Sequence, residues 1–83
     1  MNYVFSKHAL EQLKIRNITE KSVNEIVEYP QKIIEFDECI KIYQAMIEPE
    51  KLFLLRVFIN TCKEPAVIII VYKTSKIKKY HES

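Results

Sequence analysis

The chain has no glycine in 83 residues. A glycine-rich phosphate loop and a dinucleotide fingerprint both need glycine where the backbone turns tightly against a phosphate. Both are excluded, so any anion site has to be built from side chains and helix ends. Cysteine is scarce: Cys39 and Cys62 are the two present, too few for a disulfide framework. The opening MNYVFSKHAL lacks the apolar stretch of a secretory leader. The longest apolar run, AVIIIVY, falls far short of the roughly 20 residues that span a bilayer. The expectation is a soluble cytoplasmic protein with no membrane partner and with reduced cysteines. Imidazole is nearly absent as well, with His8 and His81 alone, so neither a zinc site nor another cofactor is expected.

What is present points to one small folded domain over residues 1–83. Hydrophobic residues make up 48% and charged residues 29%, a balance that folds rather than staying disordered. The net charge is only +2, but it is unevenly spread. The segment YKTSKIKKYH, residues 72–81, holds four lysines and no acid, whereas EYPQKIIEFDE is acid-rich. A basic patch of this kind suits an anionic partner, or it is a solvated, fraying tail.

Ser6 is a natural N-cap for a first helix in which Leu10 and Leu13 recur at helical spacing beside Ala9. Asn17 in RNIT can take the left-handed C-terminal conformation that glycine would otherwise supply. Thr19 caps a second helix with Val23, Ile26 and Val27 as its apolar stripe, and Pro30 stops it. The remainder reads as strands: KIIEFD, IKIYQAMI, LFLLRVFIN and AVIIIVYK. Turns fall at EPEK and TCKEP. The almost wholly apolar, β-branched AVIIIVYK reads as a central strand. Short connections imply antiparallel hairpins. The predicted fold is therefore α+β, with two N-terminal helices on one face of a four-stranded antiparallel meander. SKIKKYHES is then a helical turn capped by Ser75, or a tail. Cys39 and Cys62 fall in turns at one sheet end, on strands expected to be non-adjacent and so too far apart to bond.

FSKHALEQLKIRNIT, followed by a helix ending VEYP, resembles the opening of a family of small prokaryotic domains of unknown function. Their first helix carries His-Ala and Arg-x-Ile. The closing VIIIVYKTSKIKKY is similar to that family's last strand and basic tail. The asparagine of RNIT stands where relatives often have glycine. The family, and the BrnT-like toxins it resembles, look like relatives of the RelE/ParE superfamily. The resemblance implies two helices on an antiparallel sheet of about four strands. It implies the toxin of a type II toxin–antitoxin system, cutting RNA without a metal. The implied partners are RNA, a cognate antitoxin and, where cleavage is ribosome-dependent, the ribosome.

Metal-free RNA cleavage uses the 2′-hydroxyl as nucleophile and needs a proton acceptor, cations at the phosphate and a proton donor for the leaving oxygen. His8 is the obvious proton handler, because the first turn of a helix favours a neutral imidazole. Arg16 lies about 12 Å further along the helix. It flanks another nucleotide or pairs with a carboxylate such as Glu20. Arg56 interrupts an apolar strand, where it is salt-bridged or aimed at a ligand; RelE-like proteins carry cations on that face of the sheet. Lys73 and Ser75 can meet the phosphate, together with Thr74, and Tyr80 can stack on a base or give a proton. Lys76, Lys78 and Lys79 add backbone attraction. Tyr72 and Tyr80 are otherwise packing residues, and His81 is expected to be disordered. Two other functions fit the same features. One is a ParE-like toxin that inhibits a protein such as a topoisomerase, and the other is a non-toxic RNA-binding module.

Overall fold

The computed structural model describes residues 1–47 and 53–81. The expected turn at EPEK, together with Leu52, lies outside these residues. Two helices follow a short first strand, β1 (Tyr3–Phe5): α1 (Lys7–Ile15) and α2 (Glu20–Glu28). The strands β2 (Lys32–Glu35), β3 (Ile40–Met46), β4 (Leu54–Asn60) and β5 (Ala66–Thr74) come next, and α3 (Ile77–Tyr80) closes the described chain.

The local reasons for the first two helices are visible atom by atom. Ser6 Oγ accepts a hydrogen bond from Ala9 N, and Thr19 Oγ1 accepts one from Ser22 N, so both helices have side-chain N-caps. Asn17 has φ 54°, in the left-handed region. Asn17 N donates to Lys14 O, and Ile18 N donates to Leu13 O. That pair of bonds is a Schellman closure, and it turns Ile18 back onto Leu13 in the core. Tyr29, ahead of Pro30, has φ −129° and ψ 64°, outside helical space, and α2 ends before it.

The sheet corrects the expected architecture. It has five strands in the order β1-β5-β4-β3-β2 and is mixed, because β1 lies parallel to β5. Among the described residues three short helices accompany it, not two. Tyr3–Phe5 is too short to show an alternating pattern, so nothing in the sequence announced it as a strand. Its effect is clear in the structure. Flanked by β1 and β4, β5 is an interior strand, which its continuous apolar character requires. In a plain meander the same segment would have been an exposed edge.

The core lies between α1, α2 and one face of the sheet. It contains Ala9, Leu13, Val23 and Ile26 from the helices and Leu55, Val57, Ile59, Ile68 and Val71 from the strands. Register on β5 slips where Phe58 pairs Ile70 and Ile59 pairs Ile68, leaving Ile69 as an extra residue. The bulge lets both Ile68 and Val71 face the helices although they are three apart. Gln12 Oε1 of α1 accepts from Val71 N at 2.8 Å just beyond it, which fixes α1 over β5.

The cysteines are also corrected. Cys39 and Cys62 form a disulfide. Cys39 precedes β3 and Cys62 follows β4, and these strands are direct neighbours with Ile40 opposite Asn60. The expected separation by an intervening strand does not exist, and the Cα atoms are 5.0 Å apart.

Candidate functional site

Side chains alternate along β4. Leu55, Val57 and Ile59 enter the helix-covered core, so Leu54, Arg56 and Phe58 point to the opposite face. Register assigns the neighbours there: Gln44 of β3 and Tyr72 of β5 are the direct partners of Arg56. After Thr74 the chain turns back over this face. Thr74 Oγ1 accepts from Lys76 N, and α3 then crosses the sheet above β4 and β3.

Arg56 is 7% exposed, and among the described residues no carboxylate lies within ion-pairing distance of it. Burial of a charge without a counterion is costly, and the site compensates with dipoles and rings. Arg56 Nε donates to Gln44 Oε1 at 2.9 Å, and Nη1 donates to the Tyr72 hydroxyl. The guanidinium carbon lies 4.2 Å from the Tyr80 ring centroid, 5.5 Å from that of Phe58 and 5.6 Å from that of Tyr72. Every buried side-chain nitrogen or oxygen among the described residues has a partner. Nη2 makes no hydrogen bond to any described residue, so it sits in the small exposed part of the residue. A buried cation thus presents one N–H₂ corner to solvent.

His81 completes the cluster. It is half-buried, its ring nitrogen Nδ1 is 2.9 Å from Gln44 Nε2, and its carbonyl accepts from Lys32 Nζ at 3.4 Å. Lys79 Nζ lies 5.2 Å from the Tyr80 ring centroid. Four elements, β3, β4, β5 and α3, therefore supply Gln44, Arg56, Tyr72 and Tyr80, and His81 follows directly.

The structure brings Arg56 and Tyr80 of the expected set together, with Lys79 against the Tyr80 ring. The remaining members lie apart from them or are exposed around them. His8 is exposed on α1, on the helix-covered side of the sheet, and no hydrogen bond or ring contact joins it to Arg56. Lys73 pairs Leu55 across β4 and β5, so it too faces the helix side, with its amine 5.5 Å from the Phe53 ring. Ser75 is exposed in the turn before α3 and caps no helix; its carbonyl accepts from Ile77 N. Thr74 shares the Arg56 face and is spent on the turn, and Lys76 and Lys78 are exposed around α3. Arg16 is exposed at the end of α1 and makes no ion pair with Glu20. Three members of the cluster escaped sequence reasoning, and one of them, Tyr72, was expected only to pack. Gln44 had a signal, since it is a polar residue on the same face as Ile40 and Ile42. His81 had none, because its order depends on Gln44.

A shallow groove of about 690 Å³ lies elsewhere, beside α1, lined by Leu10, Leu13, Ile18 and Lys14 among others. Lys7, Glu11 and Glu20 also line it, and it does not touch the Arg56 cluster. Among the described residues no three histidine, cysteine, aspartate or glutamate side chains gather as metal ligands, and no helix is long and apolar enough to cross a membrane.

The fold and site define a small α+β domain with a buried arginine on the side of its sheet away from α1 and α2. The chain belongs to the DUF4258 family, a domain of unknown function, whose family model matches residues 5–73. Gln44, Arg56 and Tyr72 fall inside the matched segment, and Tyr80 and His81 lie after it. No curated protein and no solved structure shows significant similarity to this chain.

Proposed function

We propose that this protein is the ribonuclease toxin of a type II toxin–antitoxin pair and that its active face is the one centred on Arg56. The BrnT-like and RelE/ParE resemblance supplies the functional class. The observation that carries the reading is a buried arginine with no carboxylate partner among the described residues, in one cluster with an imidazole and two phenols. A structural arginine in such a place is ordinarily neutralised by an acid. One left unpaired, with Nη2 reaching solvent, suits a phosphate.

The chemistry is a transesterification. The RNA 2′-oxygen bonds to the adjacent phosphorus as the bond from phosphorus to the 5′-oxygen breaks. The products are a 2′,3′-cyclic phosphate and a 5′-hydroxyl. Arg56 Nη2 balances charge growing on the phosphate oxygens, and the His81 Nε2–H hydrogen-bonds the leaving 5′-oxygen, which takes its proton from water. The 2′-hydroxyl proton passes to solvent hydroxide, and the RNA itself supplies the nucleophile. Lys76, Lys78 and Lys79 surround the approach and attract the RNA backbone. A cognate antitoxin is the protein partner, and the ribosome is the setting if free RNA is a poor substrate.

The test is cleavage of free and ribosome-bound RNA by the purified protein in chelator, with product ends analysed. Cyclic phosphate ends are expected, and Arg56→Lys and His81→Gln should each lower the rate about 100-fold. Intact RNA in both settings overturns the reading. Growth arrest with intact RNA and impaired DNA supercoiling would select the protein-inhibiting alternative instead.

A further inference from the structure

We infer that Gln44 is a positioning residue that sets the tautomer of His81, so that this histidine faces the ligand through a protonated Nε2. The inference rests on the proposed function for its consequence, but its structural content stands alone.

Three contacts fix the side-chain amide. Arginine has donors only, so the group facing Arg56 Nε at 2.9 Å must be the amide oxygen. The backbone carbonyl of Tyr80 has acceptors only, so the group 2.8 Å from it must be the amide nitrogen. The two requirements agree on one orientation, although oxygen and nitrogen cannot be told apart by shape. The nitrogen has two hydrogens. One goes to Tyr80 O, and the second points at His81 Nδ1, 2.9 Å away. Nδ1 must then be the unprotonated, accepting nitrogen, and the proton of the neutral ring sits on Nε2.

Gln44 is fully buried, so no water competes for its amide. Among the described residues the charged and titratable groups of this cluster are Lys32 from β2, which reaches the His81 carbonyl, Arg56 from β4, which reaches Gln44, Tyr72 from β5, which reaches Arg56, and Lys79 and Tyr80 from α3. None of these is a carboxylate that could draw a proton onto Nδ1. Arg56 therefore acts on His81 through Gln44: the cation orients the amide, and the amide orients the imidazole. A histidine held this way is a neutral hydrogen-bond donor from Nε2, placed to hold the leaving 5′-oxygen rather than to give up its proton.

The experiment is two-bond ¹H–¹⁵N NMR of the labelled full chain at about pH 8.5, some two units above the ordinary histidine value. His8→Asn assigns the two rings. In the wild type, His81 is expected to show a single Nε2–H tautomer, while exposed His8 shows the averaged pattern. In Gln44→Leu, and in Gln44→Met should the first not fold, His81 should average like His8. A wild-type His81 that already averages, or one unchanged in a folded Gln44 variant, overturns the inference. This arm uses no RNA. The kinetic arm expects Gln44→Met to lower kcat about tenfold with KM within about twofold, and to move the acidic limb of the pH–rate profile. A wild type that does not cut RNA removes the proposed function and leaves the tautomer result to decide the positioning role.

Discussion

Arg56 and Tyr72 are direct cross-strand partners on β4 and β5, and the guanidinium Nη1 donates to the tyrosine hydroxyl. The same guanidinium donates to Gln44 on the other flanking strand, so one side chain ties three strands together on the face away from α1 and α2. Replacing it with Met leaves the buried Gln44 Oε1 without a donor. Arg56→Met should cost about 1–3 kcal/mol in urea unfolding, the usual penalty for one orphaned buried polar group. Adding Gln44→Leu removes the orphan, and the double variant should be less destabilised than the sum of the singles. Strict additivity would refute the coupling.

Asn17 carries a left-handed backbone in a chain that has no glycine to spend there. Asn17→Gly should be neutral or slightly stabilising. Asn17→Val should cost about 1–2 kcal/mol, since a β-branched residue clashes in that region. Thermal melts followed by circular dichroism decide it, and equal melting of all three proteins would contradict the assignment.

The disulfide joins residues 23 apart in sequence across neighbouring strand ends. Unreduced protein, unfolded in denaturant, should show no free thiol, and reduction should reveal two. Cys39→Ser should lower stability by about 2–4 kcal/mol relative to the oxidised chain. Two reactive thiols without reductant would show that the bond does not form.

Tyr3 sits at the edge of the core with its hydroxyl donating to Asn24 Oδ1. Burial, and then the charge of Glu28, raise its pKa above the ordinary 10.0. The folded state therefore holds this proton more tightly than the unfolded one. The stability so gained is complete below about pH 10 and is lost as pH rises through the folded value. A spectrophotometric titration of the five tyrosines should show a late step that Tyr3→Phe removes. A titration unchanged by that substitution would contradict the environment described.

Much of the local structure could be read in advance. Ser6, Thr19, Asn17 and Pro30 act within a few residues of themselves, so their caps, turn and stop needed no tertiary information. The strand count failed because Tyr3–Phe5 becomes a strand only through its pairing with β5, 63 residues on, with Tyr3 opposite Ala66. The cysteine pairing failed for a related reason: it required knowing which strands are neighbours. In the site, Arg56 stood out because a charge interrupts an apolar strand. His81 did not, because its place is set by Gln44, Lys32 and the path of α3, none of which is local to it.

β4 has a consequence beyond its register. Its odd-numbered residues Leu55, Val57 and Ile59 belong to the hydrophobic interior, and its even-numbered Arg56 belongs to the opposite surface, a single peptide unit away. Folding and chemistry are thus written on alternate letters of one short word. Scanning the odd letters should move melting temperature, and scanning Arg56 should move melting temperature and ligand response together. Inserting one residue ahead of Arg56 would exchange the two texts, driving the guanidinium into the oil beneath α1 and α2.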